Sequence, residues 1–284
     1  MSGVVNRARF GARLTEVVSH RGPLCVGIDP HPGLLAAWGL DDDPAGLERF
    51  ALRCVQALAG DVAVVKPQSA FFETYGSRGI AVLERVIAES QAAGALVLLD
   101  VKRGDIGSTM AAYARAYLAD DSPLAADAVT LSPYLGFGSL DPALALVAQT
   151  GRGMFALAIT SNPEGATVQR ALVNERQSVA QSIVDSAAEC NAGVSPLGDV
   201  GVVVGATIDK GQLDLEALNG PILAPGLGRQ GATVANLRRV FGRSLRHVLP
   251  ASSRDILRCG PDPAALRSAA LRVRDQIVRE TRGR

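Results

Sequence analysis

Leu96-Val-Leu-Leu-Asp100-Val-Lys102-Arg-Gly-Asp105-Ile-Gly-Ser-Thr109 is the stretch on which the reading of this chain turns. Its first four residues, Leu96 to Leu99, are uninterrupted apolar, the pattern of a parallel strand covered on both faces. Side chains alternate along a strand, so Asp100 and Lys102 share one face while Val101 and Arg103 take the other. Gly104 turns the chain, Asp105 lies in the turn, and Thr109 opens a helix-like run. A carboxylate and an ammonium at the end of a buried strand are costly to desolvate unless they pair. A structural ion pair would account for those two charges. The second acid, Asp105, follows at once in a glycine-bearing loop where packing needs no third charge, and this favours an active site.

The same pattern recurs on either side. Pro23 to Pro30 is an apolar run ending in an acid and a proline, and Asp61 to Pro67 is another ending in a lysine and a proline. Further strand-like runs follow at Ala128–Pro133, Gly153–Ser161, Val200–Thr207, Pro221–Gly226 and Leu245–Pro250. Helical patterns separate them: residues 8–19, Leu47–Leu58, Ile80–Ala93 stopped by Gly94, Thr109–Leu118, a helix opened by Asp141 as N-cap with Pro142, Ser178–Glu189, and a last one capped at Asp262-Pro263. A long polar loop is expected from Asn162 to about Arg176. Eight apolar strands alternating with helices predict a (β/α)8 barrel, an α/β fold in one domain over residues 1–284. A doubly wound open sheet is the rival, but the first turn reads Gly27-Ile-Asp-Pro-His-Pro and is no G-x-G-x-x-G phosphate loop.

In such a barrel the strand C-terminal ends face the active-site mouth. Those positions hold Asp29, Lys66, Asp100, Lys102, Ser161, Thr207, Pro225 and the Ser252-Ser253-Arg254 group. The loops after strands seven and eight, the usual phosphate site of the fold, read Pro225-Gly-Leu-Gly-Arg-Gln230-Gly and Pro250-Ala-Ser-Ser-Arg254-Asp. Glycines let backbone N–H groups approach an anion, and an arginine adds a bidentate clamp.

Composition bounds the alternatives. The chain has 284 residues, 48% hydrophobic and 20% charged, with a net charge of +1, so neither a nucleic-acid surface nor an acidic tail is expected. No apolar run reaches membrane-spanning length, and Met1-Ser-Gly-Val-Val-Asn-Arg lacks a signal-peptide core, so a cytoplasmic location is expected. Cys25, Cys54, Cys190 and Cys259 show no C-x-x-C spacing and read as free thiols. Of 29 basic residues only Lys66, Lys102 and Lys210 are lysines, and two of these follow strand-like runs. A lysine ammonium is compact and tunable where a guanidinium is not. Lys210, in an Asp-Lys-Gly turn, reads as surface; His31 is open between a turn and a binding role; His20 and His247 have no partner pattern; Phe71, Phe72 and Tyr75 read as packing; the arginine-rich segment 267–284 reads as a solvated helix face.

Asp100-x-Lys102-x-x-Asp105-Ile-Gly-x-Thr109, preceded by Lys66-Pro-Gln-Ser-Ala-Phe-Phe-Glu73, resembles the orotidine 5′-phosphate decarboxylase family in its longer bacterial branch. The resemblance runs from Asp29 to Arg254, nearly the whole barrel. D-x-K-x-x-D alone is shared with related sugar-phosphate decarboxylases and synthases; the combination with Lys66-Pro67 and the Gln230 and Arg254 loops is more specific. The resemblance implies a cofactor-independent, metal-free carboxy-lyase of pyrimidine (UMP) biosynthesis that works as a homodimer. It further implies that Asp29 bonds the ribose hydroxyls, and that Lys66, Asp100, Lys102 and Asp105 form an alternating charge network at the ring carbon. By the same resemblance Lys102 protonates C6, Asp100 lies against the substrate carboxylate, and Ser161 reads the pyrimidine amide edge. Gln230 and Arg254 match the family's phosphate grip, where Arg229 is an alternative to Gln230, and Pro225 beside them is a further substrate-binding candidate. Asp105 and Thr109 would reach across the dimer interface into the partner's site.

The chemistry suits these residue types. Decarboxylation at a vinylic carbon leaves an electron pair that no ring carbonyl absorbs, and a neighbouring ammonium both stabilises it and supplies a proton. Two readings compete. A metal-dependent sugar-phosphate decarboxylase or synthase would need another acid near Asp100, where Lys66-Pro67 stands. A non-catalytic phosphate sensor would have no use for Lys102.

Overall fold

Each barrel strand is built on a short apolar run, and the eight close on one another. The computed structural model describes residues 7–209, 211–228 and 233–282. The strands are β1 (Cys25–Ile28), β2 (Val64–Pro67), β3 (Leu96–Arg103), β4 (Ala128–Leu131), β5 (Gly153–Ile159), β6 (Val200–Val204), β7 (Ile222–Pro225) and β8 (Val248–Ser252). They pair in parallel in chain order, and β8 returns to β1 through Cys25 opposite Ala251 and Val26 opposite Ser252, a closed (β/α)8 barrel.

The pleat sorts the side chains into two cores. Cys25, Val64, Leu96, Leu98, Ala128, Phe155, Val203, Leu223 and Leu249 fill the barrel interior. Val26, Val65, Val97, Leu99, Val129, Val202 and Ile222 face outward into the layer shared with the helices. Helix α1 (Phe10–Arg21) plugs the end opposite the strand C-termini, with the Phe10 ring edge-on to Phe155 at 6.0 Å. Arg9 Nε bonds Asp199 at 2.6 Å, the Gly11 N–H donates to the same carboxylate, and Arg13 pairs with Asp127. Both acids precede strands, so these contacts fasten the plug to the barrel floor.

Helices read as starting at Leu47, Ile80 and Thr109 begin two to four residues earlier, at Pro44, Gly76 and Gly107, and three further differences have a local cause. Asp141 is the first helical residue rather than the N-cap, because Phe137–Leu140 already forms a 3-10 turn that leads into the helix. The eighth strand begins only at Val248: Gly242–His247 winds as a 3-10 turn, and the strand continues to Ser252. The polar loop after β5 carries a 3-10 turn at Pro163–Gly165, a short helix at Ala166–Gln169 and a small antiparallel pair, Leu172–Asn174 with Gln177–Ser178. No helix among the described residues is long and apolar enough to cross a membrane.

Candidate active site

The inward series Val64, Lys66 on β2 and Leu96, Leu98, Asp100 on β3 are in register, which brings Lys66 and Asp100 together at the top of the barrel. Asp100 Oδ2 accepts Lys66 Nζ at 3.1 Å, and its Oδ1 accepts both Lys102 Nζ and Thr130 Oγ1 at 2.7 Å. Lys66 and Asp100 are each 8% exposed in their side chains, whereas Lys102 is 43% exposed. The lysine with room to meet a ligand is therefore Lys102.

Burial opposes the charge on Asp100, but Lys66 and Lys102, with hydrogen bonds from Lys102 and Thr130, overcome it and hold the carboxyl well below the usual carboxylate range. Burial likewise opposes the charge on Lys66. Asp100 and Asp29 outweigh that cost and hold the ammonium above its ordinary value. Beneath this pair the Cys25 thiol, pushed up to about 12 by burial, remains neutral.

Lys102 does not reach this position by regular pleating. Leu99 pairs with Val129 and Arg103 with Leu131, so the three residues Asp100 to Lys102 stand against the single residue Thr130. Lys102 takes φ +47°, a left-handed backbone that costs a non-glycine residue of order 1–3 kcal/mol. Its N–H donates to Thr130 Oγ1 at 3.1 Å, so one threonine fixes both the backbone of Lys102 and the carboxylate of Asp100. Asp100 and Lys102 thus share the inner face as expected, through a bulge that leaves Val101 buried on the outer side.

The charged trio opens into a cavity of about 370 Å³, within the roughly 300–1,000 Å³ that small ligands occupy. It is lined by Asp29, Lys66, Asp100, Lys102, Ser161, Pro225 and Arg254, so the strand-end residues expected at the mouth do converge. Asp29 Oδ1 and Ser253 Oγ are buried without a hydrogen-bond partner among the described residues, which suits a ligand rich in hydroxyls and anionic oxygens. At the far side, Gly226 (φ +109°) and Gly228 (φ +89°) turn the loop after β7 in a region that L side chains rarely enter, and a Cβ at Gly228 would collide with the Asp255 carboxylate. That loop packs against Asp255, the residue after Arg254, which begins a single helical turn after β8. Among the described residues no group of three or more His, Cys, Asp or Glu is placed to hold a metal ion.

Asp105 and Thr109 do not line this cavity. The Asp105 carboxylate accepts the N–H of Ile106, and Thr109 is exposed on the helix Gly107–Leu118. Thr207 lines a neighbouring hollow under the loop after β5 instead. Gln230, Arg229 and Lys210 lie outside the described residues. His31 takes the turn role, its Nδ1 accepting the Gly33 N–H, and the residue also lines the cavity. Phe72 is core, as expected, while Phe71 reaches the cavity wall. Thr130 was missed by the sequence reading. Its signal was present, a lone hydroxyl at an inward position of the apolar run Ala128–Leu131.

The orotidine 5′-phosphate decarboxylase / HUMPS family profile matches residues 22–268. A Salinispora arenicola protein named orotidine 5′-phosphate decarboxylase is 65% identical over 264 residues, 93% of this chain and 95% of that protein. A Streptomyces coelicolor protein of the same name is 59% identical over 269 residues, 94% of this chain and 96% of that one. A crystal structure assigned as orotidine 5′-phosphate decarboxylase from Streptomyces avermitilis superposes with a TM-score of 0.96 at 56% identity, covering 99% of each chain. A match that spans all eight strands, around a barrel mouth carrying Asp100, Lys102 and Lys66, establishes that the chain belongs to the orotidine 5′-phosphate decarboxylase / HUMPS family.

Proposed function

We propose that this chain, a single barrel domain over residues 1–284, decarboxylates orotidine 5′-phosphate to uridine 5′-phosphate with Lys102 as the proton donor. The observation that carries the reading is the pairing of a half-exposed Lys102 with the buried Asp100 at the cavity floor. The substrate carboxylate on C6 lies against Asp100, a like-charge contact that is relieved as carbon dioxide leaves. The C6–carboxyl bond breaks, its electron pair stays on C6, and the ammonium of Lys102 stabilises that pair before giving it a proton. Water then reprotonates the lysine. Lys66, held charged by Asp100, keeps Asp100 ionised and fixed throughout.

The remaining residues bind. Asp29, with one buried carboxylate oxygen open, accepts from the ribose hydroxyls. Ser161 reads the pyrimidine amide edge, and Pro225, Gln230 and Arg254 belong to the phosphate end. Phosphate binding far from C6 supplies energy that orients the reacting ring. No metal or cofactor takes part, since the lysine does the work of an electrophile. The protein is a homodimer in which Asp105 and Thr109 enter the partner's site. Their placement outside the chain's own cavity and the exposure of Ile106 (62%), Tyr134 and Leu135 beside the mouth support this. The buried thiols of Cys25 and Cys54 suit a reducing cytoplasm.

The metal-dependent sugar-phosphate reading has less support, because Lys66 Nζ stands 3.1 Å from Asp100 where a second acid would be needed. Relatives at 59–65% identity carry the decarboxylase name. Purified protein is expected to consume orotidine 5′-phosphate, followed by its absorbance, at a rate unchanged by a chelator. Turnover that appears only with added magnesium, or none at all, overturns the proposal.

A further inference from the structure

Glu73 ends the Lys66-Pro-Gln-Ser-Ala-Phe-Phe-Glu motif and Arg103 follows Lys102, yet the chemistry above uses neither. They meet outside the cavity. Arg103 Nη2 donates to Glu73 Oε1 at 2.6 Å, and the same carboxylate oxygen accepts the Ser69 hydroxyl. The Arg103 guanidinium also stacks 5.8 Å from the centre of the Tyr113 ring. The Arg103 carbonyl takes the Ser132 N–H at 2.7 Å, and a Cβ on the next residue, Gly104, would collide with the Ser132 carbonyl. The residue after Lys102 is thus fastened by side chain and backbone alike.

We propose that the Glu73–Arg103 pair is a positioning device for Lys102. Lys102 holds a left-handed backbone, φ +47°, which an L residue leaves unless its surroundings over-determine it. Thr130 fixes one side of that residue through its N–H. Arg103 fixes the other, and Glu73 ties it to the helix Ser69–Glu73, which begins two residues after β2 ends with Lys66-Pro67. The pair therefore couples the strand end that carries one lysine to the strand end that carries the other. Release of Arg103 lets the backbone relax towards the extended region and draws the Lys102 ammonium away from Asp100 and C6. The residues proposed for ribose and phosphate line the cavity from the ends of β1, β7 and β8, away from this contact, so their binding is left unchanged. The inference rests on the reading of Lys102 as proton donor.

The test is a set of purified variants, Glu73→Gln, Arg103→Met, their double, Arg103→Lys and Lys102→Ala. Each is assayed for kcat and KM and normalised to the sites that bind uridine 5′-phosphate, so that misfolded protein is not counted. Glu73→Gln and Arg103→Met are expected to lower kcat per binding site by about 10- to 100-fold with KM within about threefold of the parent. The double variant should match the worse single one, because both remove the same contact. Arg103→Lys, which retains a cation for Glu73, should recover part of the loss. If Arg103→Met does not fold, the near-isosteric Glu73→Gln decides alone. Wild-type kcat in Glu73→Gln, additive losses in the double, or a rise in KM in place of the fall in kcat overturns the inference, provided that Lys102→Ala is inactive. An active Lys102→Ala overturns the proton-donor reading instead.

Discussion

Asp100 carries the electrostatics of the site, and its depressed ionisation ties stability to pH. The group is charged in the folded protein well below the usual carboxylate range, so its contribution to stability is full above that range and is lost as pH falls through it towards the depressed value. Lys66, raised in turn, contributes fully below the ordinary lysine value, about 10.4, and loses its share only as pH rises beyond it. Asp100→Asn leaves the buried Lys66 without its nearest anion and is expected to destabilise the fold by about 3 kcal/mol near neutral pH. Urea unfolding of parent and variant should show that gap shrinking once pH drops below about 4. A gap that stays constant down to about pH 3 would mean that Asp100 is not held ionised by its lysines. The identity of these residues was legible because the motif states them in order. The backbone of Lys102 was not: an alternating pattern cannot announce a bulge, and no glycine marks the positive φ, since neighbouring contacts hold a lysine there.

At the level of elements, the loops after β7 and β8 make the far end of the cavity. Arg254 lines the cavity, and Ser253 Oγ is buried beside it without a partner among the described residues. Arg254→Ala is expected to weaken binding of uridine 5′-phosphate by roughly 1.5–3 kcal/mol, the worth of a hydrogen bond to a charged group. The loss should be much smaller for uridine, which lacks phosphate. Calorimetric titration with both ligands checks this, and an equal loss on both would place Arg254 away from the phosphate. All eight barrel strands were legible, because each is built on a short apolar run. Their ends were read less well. Leu245 belongs to a 3-10 turn although it is as apolar as the strand behind it, and Ala251-Ser252 extends β8 past Pro250, whose missing N–H does not interrupt the strand. The turns and hairpin at Pro163–Ser178 were read as loop because their short polar segments carry no period long enough to detect.

For the whole molecule, one barrel supplies Lys66, Asp100 and Lys102 to its own mouth but turns Asp105 and Thr109 away from it. The sequence could state that Asp105 is close to Lys102 along the chain, but not on which barrel it acts. That depends on how Gly104 to Gly107 leave the strand, beside the exposed Ile106, Tyr134 and Leu135. In the function proposed above, Lys102 is the proton donor of a charge network that two chains complete. In a dimer of one Lys102→Ala chain and one Asp105→Ala chain, both lesions fall in one site and the other is whole. The most direct measurement is therefore decarboxylation of orotidine 5′-phosphate by the two variants alone and after subunit exchange. Each alone should be nearly inactive, and an equal mixture should recover about a quarter of the parent activity, half the dimers being mixed and each carrying one intact site. Mixed dimers that are shown to form yet recover nothing, or a Lys102→Ala protein that turns over substrate unaided, would contradict it.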